Sequence, residues 1–188
     1  MTESQLIIGS LMAEHRVIER VLADLGYEFK SIRSGTRPVD LEYIDSMVDF
    51  LDTFVGRLHH GKEENIFFLD LLDKPLSAGL SSKMRDLVYE HMWMRARTGV
   101  LVSATARHEK GDAGAVDEIT DVMSRLAALY PDHMRKEEQG FFTDAVEQFT
   151  HSERQAMIER FRAFDQQMPV HERYQRLAEE LEARRAGR

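Results

Sequence analysis

Apolar residues recur along this chain at alternating steps of three and four, the spacing that lines one face of an α-helix. Ile8, Leu11, Ile18, Leu22, Leu25 and Phe29 form one such stripe, with His15 in its middle. Met84, Leu87, Met94, Thr98, Leu101 and Thr105 form another, with His91 in its middle. Turn-forming residues cut the pattern into long pieces. The first helix is predicted from Ser4 to Lys30 and ends at Ser34-Gly35-Thr36-Arg37-Pro38. Asp40 is placed to cap a second, which stops near Asp73-Lys74-Pro75. Ser81 or Ser82 caps a third, ending at Gly111-Asp112-Ala113-Gly114. A fourth runs from Ala115 to Gln148 with an expected kink or break at Pro131. Thr150 and Glu153 have capping-box spacing and open a fifth, and Pro169 separates it from a last helix, His171 to Arg184.

The fold class that follows is all-α. Four long helices joined by short loops pack most simply as an up-down-up-down bundle. Residues 1–150 are expected to form that bundle, and residues 151–188 a C-terminal helical extension packing on it.

Composition narrows the chemistry. The chain is 188 residues long with no cysteine, so any metal must be held by nitrogen and oxygen, which suits iron, manganese or zinc. A formal charge of −8 argues against nucleic-acid binding, which needs a basic surface. No stretch approaches the roughly 18 apolar residues of a membrane span. The N-terminus lacks the pattern of a secretory signal, so a cytoplasmic protein is expected.

Two segments repeat. His59-His-Gly-Lys-Glu63-Glu-Asn-Ile-Phe-Phe-Leu-Asp70 aligns with His133-Met-Arg-Lys-Glu137-Glu-Gln-Gly-Phe-Phe-Thr-Asp144, sharing the His, the Lys, both Glu, both Phe and the Asp. Each follows a helix carrying a central Glu-His pair, Glu14-His15 and Glu90-His91. The chain therefore reads as two helical hairpins, each donating one lone histidine and one His-x-x-x-Glu. Residues four apart share a helix face, so imidazole and carboxylate can approach one metal. A lone histidine on an apolar face is usually a satisfied core residue, but four on successive helices in a repeated arrangement point to a dinuclear site. His108, His151 and His171 read as surface residues or as hydrogen-bonding support near such a site.

Adjacent glutamates in each repeat face about 100° apart. The stripe Ile119, Met123, Leu126, Tyr130 continues through His133 and Glu137 and leaves Glu138 to one side; by the repeat, Glu63 is the inward partner of His59. His60, matched by Met134, is open to three readings: an extra ligand, a supporting residue or a solvent-facing one.

These motifs resemble the hemerythrin-like (HHE) family over roughly residues 5 to 150. The resemblance implies a left-handed four-helix bundle and two iron ions bridged by carboxylates and an oxo or hydroxo group. It carries the ligand role onto His15, His59, Glu63, His91, His133 and Glu137, and His60 stands where some members present a further ligand. Oxygen-carrying hemerythrins have a second histidine four residues on along the third helix, where this chain has Arg95. That departure argues against reversible oxygen carriage and for an open coordination position. The expected function is binding, sensing or reduction of O₂, NO or peroxide, with an unidentified electron donor. The alternatives are an iron sensor or store that uses its C-terminal helices as a partner surface, and a redox-silent zinc bundle. Tyr89 and Tyr130 are candidate buried donors or electron relays beside the site.

Overall fold

The computed structural model describes residues 1–187, and among them there is no strand. Six helical segments follow one another: α1 (Glu3–Arg33), α2 (residues 41–71), α3 (Ala78–Glu109), α4 (residues 115–146), α5 (His151–Gln167) and α6 (His171–Ala186). No helix among the described residues is long and apolar enough to cross a membrane.

Most helix starts are set by short polar side chains that satisfy otherwise unpaired backbone N–H groups. Thr2 and Gln5 form a capping box on α1, Asp40 accepts from the Tyr43 N–H at 3.1 Å, and Thr150 with Glu153 caps α5. The α3 cap is Ser77, whose hydroxyl accepts from the Leu80 N–H at 3.2 Å, not the expected Ser81 or Ser82. Gly79 in the first turn of α3 does not delay the helix.

Two further departures concern winding. The α-helix Ala115–Lys136 continues through Pro131, which removes only one N–H from the hydrogen-bond ladder. The break comes later, within Glu137–Phe141, where Gln139 and Gly140 leave helical geometry and Gly140 adopts φ 131°. In α2, Phe50–His59 and Glu63–Phe68 are wound as π-helix, around a short α-turn at His60–Lys62.

Helix α3 packs along α4, α4 along α1, and α2 against α1 and α3. The apolar core is divided into two clusters. One contains Ile18, Leu22, Phe54, Leu58, Met94, Leu126 and Tyr130; the other contains Leu11, Phe67, Leu87, Phe141 and Phe142. On each long helix the two clusters are separated at the same level, and that gap is filled by the buried histidines and glutamates. Helices α5 and α6 lie back against α1 and α2. Tyr174 of α6 is buried beside Phe50 and Phe54, with ring centroids 5.4 and 5.3 Å away, and donates its hydroxyl to Asp49 at 2.8 Å.

Candidate metal centre

The π-winding of α2 explains how so many polar side chains reach one place. Adding a residue to a turn of about 3.6 lowers the angle between successive side chains from about 100° to about 80°. Four residues then fall about 40° short of a full turn, where four α-helical residues overshoot by about 40°, so alternating the two windings lets a strict period of four hold one face. Leu51, Val55, His59, Glu63, Phe67 and Leu71 are all buried, whereas five such steps on an α-helix would drift by about 200°. His60, next to His59, is also buried, at 2% exposure. The solvent-facing reading of His60 is therefore excluded.

All seven candidate residues come together inside the molecule. Ligating atoms of His15, His59, Glu63 and Glu137 lie within 4.8 Å of one another, and those of His60, His91 and His133 do the same. His15 Nε2 stands 3.1 Å from His59 Nε2, and His91 Nε2 stands 3.0 Å from His133 Nε2. The carboxylates span the two groups. Glu63 places Oε1 3.6 Å from His59 Nε2 and Oε2 3.4 Å from His91 Nε2. Glu137 places Oε2 3.3 Å from His15 Nε2 and Oε1 3.1 Å from His133 Nε2. The His60 ring stacks on His91 at 3.7 Å, and its Nδ1 has no hydrogen-bond partner.

The opposite nitrogen of each paired imidazole is fixed by a carboxylate. His59 Nδ1 donates to Glu14 at 3.0 Å and His133 Nδ1 to Glu90 at 2.8 Å, each within its own hairpin. His15 Nδ1 donates to Glu138 at 2.9 Å and His91 Nδ1 to Glu64 at 2.7 Å, each across to the other hairpin. A carboxylate can only accept, so Nδ1 carries a proton in each ring, and Nε2 faces inward, free to offer a lone pair whenever the ring is neutral. The four carboxylates are themselves held by cations: Lys62 on Glu14, Lys136 on Glu90, Arg16 on Glu138 and Arg95 on Glu64. Sequence reading singled out the inward-facing histidines and glutamates but not these partners. The signal was the Glu preceding each lone histidine and the second Glu of each Glu-Glu pair.

Four inward imidazole nitrogens and two carboxylates facing one another need positive charge between them, as protons or as metal ions. Burial, with His15 close by, drives His59 down to about 4, despite the opposing pull of Glu14. His60 is also held well below its usual value by burial and by His91 and His59. His133 is pushed up to about 9, because Glu137 and Glu90 outweigh the effect of burial. Burial together with Glu137 and Glu14 pushes Glu63 well above the carboxylate range, while His133, His15 and His91 overcome burial and hold Glu137 well below it. The protein alone thus stores protons where cations would balance the charge. All four oxygens of Glu63 and Glu137 and the His60 Nδ1 lack hydrogen-bond partners. This donor set of nitrogen and oxygen fits first-row metal ions.

The chain belongs to the hemerythrin HHE cation-binding domain family. The family model matches residues 6–145, which contain every residue of the centre. No curated protein and no solved structure matches the chain. Membership in this HHE family means cation binding, and the buried His/Glu clusters fit a metal site. Within this HHE domain the residue four places after His91 is Arg95, which is partly exposed and pairs with Glu64 at 2.9 Å. The place near His91 is taken from another helix, by His60. Tyr130 is buried near Arg95, whereas Tyr89 is 67% exposed and is not a buried relay. Tyr89 lies two residues from His91, about 200° round the helix, and so faces outward.

Proposed function

We propose that this chain is a non-haem di-iron protein that binds, senses or reduces a small ligand such as O₂, NO or peroxide. The observation that carries the reading is the placement of Glu63 and Glu137, each with one oxygen toward either histidine pair. Such carboxylates can bridge two ions. His15 and His59 would hold one, and His91, His133 and His60 the other, within an up-down-up-down arrangement of α1 to α4. Iron bound there would supply electron transfer to or from the small ligand.

The protein's own part is orientation and exclusion. The Nδ1 partners hold each imidazole in one tautomer, and such support is worth about 10–100-fold in metal affinity. The apolar clusters on either side keep water from the centre. Three nitrogens at the His60 group and two at the His15 group leave the latter less saturated. We therefore place the small ligand on the His15–His59 side.

A sensing role gains support from one connection. Glu14, which holds His59, also meets Lys62 and His171, and Lys62 meets Asp165 at 2.9 Å. Any rearrangement at His59 thus reaches α5 and α6. Iron analysis with anaerobic and aerated absorption spectra tests the proposal. Two irons per chain and a reduced centre that oxidises in air are expected. One zinc per chain without iron would overturn it; an oxygen adduct that bleaches under vacuum and returns with air would overturn only the expectation, drawn from Arg95, that oxygen is not carried reversibly.

A further inference from the structure

A groove of 380 Å³ runs between α2 and α3, and His60 forms part of its wall. Three acidic residues, Asp45, Asp49 and Asp52, line it from successive turns of α2, followed by Gly56 and then His60. His60 is the buried side chain whose Nδ1 has no partner and whose ring stacks on His91. The groove therefore leads from surface carboxylates to an inward imidazole touching the candidate centre.

The internal repeat supplies a control. The corresponding groove between α1 and α4 has a volume of 480 Å³, and Met134 stands in the place of His60. Its α4 wall consists of Ser124, Ala127, Ala128, Pro131 and Met134, without an acid. Two grooves of similar size thus differ in chemistry: the α1–α4 groove has one acid, Glu19, which pairs with Arg16, and no imidazole, whereas the α2–α3 groove has three acids and His60.

We propose that the α2–α3 groove is the entry route for the divalent cations that load the centre, with His60 as the first imidazole they meet. This rests on the metal-centre reading and adds the path. The carboxylates attract a hydrated cation and exchange its water gradually; imidazole nitrogen then replaces part of the hydration before transfer to the inner ligands. Of the three acids, Asp49 is held by Arg173 and by the Tyr174 hydroxyl of α6, so the attraction rests on Asp45 and Asp52. Asp52 pairs with Arg57 at 2.5 Å, but both are more than half exposed, and such pairs are weak enough for a divalent ion to displace. Arg95, the cation in the wall, is drawn aside by Glu64.

The route can be tested with apo-protein and Co²⁺, following the rise of cobalt absorption after rapid mixing. Gly99 borders the groove, and a Cβ there meets nothing within 4 Å, so Gly99→Phe narrows the passage without a clash at the backbone. The double variant Asp45→Asn/Asp52→Asn removes charge without touching the centre. Both should slow loading by about tenfold, with the double variant also losing salt dependence, while final stoichiometry and spectrum stay those of the wild type. Wild-type loading at normal speed with both variants equally fast would overturn the route alone. A wild-type chain that takes up no Co²⁺ would overturn the centre and the route together. Should Gly99→Phe fail to fold, the rate and salt dependence of the double variant decide.

Discussion

Each paired imidazole divides its work between two nitrogens, and the glutamates divide likewise between adjacent positions. Glu137 faces inward with both oxygens unpartnered, while Glu138, one residue on, is turned to His15 and Arg16. If the centre holds two ions as proposed, Glu137→Ala should empty both positions, since it would remove a ligand shared by both. Glu138→Ala should keep the ions but weaken them by about 10–100-fold, because His15 loses the acceptor that fixes its tautomer. Competition with a chelator of known affinity measures both; equal losses would refute the division of roles. At this scale the sequence was informative about direction. The 3.6-residue stripe puts Glu137 on the buried face, where the structure has it, but it treats Glu138 as ordinary surface. Its partner lies on α1, and a pairing across 123 residues depends on assembly, which periodicity does not contain.

At the level of elements, the unreadable feature was winding. A template of 3.6 residues per turn finds His15, His91 and His133 because α1, α3 and the first part of α4 follow it. In α2 the buried positions from Leu51 to Leu71 recur every four residues, a period that α-helical reading blurs and that alternating α and π winding fulfils. His60 stayed ambiguous for that reason. The break in α4 was similarly misplaced, because proline is a louder signal than a glycine following Glu-Glu-Gln. Gly140, at φ 131°, occupies a conformation that a side chain strains. Gly140→Ala should cost about 1–3 kcal/mol and loosen metal at the neighbouring Glu137. Gly9→Ala, in the exposed part of α1 with open space around its Cβ, should stabilise by about 0.4–1 kcal/mol. Denaturant unfolding of the two variants gives the comparison. A neutral Gly140→Ala would mean that the turn after Glu137 can be reached without glycine.

For the whole molecule, the hairpins agree in the ligands and differ in what covers them. Lys62 and Lys136 are matched in the repeat and hold matched glutamates, Glu14 and Glu90. Lys62 is fully buried beneath α5 and α6, against Asp165 and the Phe161 ring, while the Lys136 side chain is 53% exposed. Lys62→Met should destabilise by about 3–5 kcal/mol, because it leaves Glu14 buried without its ammonium partner. Lys136→Met should cost less than about 1 kcal/mol. Thermal or urea unfolding of both apo-proteins measures the gap, and equal costs would show that the C-terminal helices do not seal the first hairpin. The capping box at Thr150 announced α5, and Pro169 announced α6. Which hairpin they cover was not legible, since their apolar residues are few and charge dominates their surface.

That one-sided cover has left its mark on the pairs of positions that flank the ligands. The covered hairpin carries Ile7, Ser10, Leu58 and Gly61, where the open one carries Lys83, Asp86, Asp132 and Arg135. Gly61 admits no side chain without movement, because a Cβ there would stand 3.0 Å from the Phe164 ring. Its counterpart has accommodated an arginine. Mutational drift is therefore unequally available to the two copies of the motif: one is pinned from both sides, the other only from within. New surface traits can accumulate on the α3–α4 side without disturbing the inner ligands, while the α1–α2 side changes only in step with the helices that lie on it.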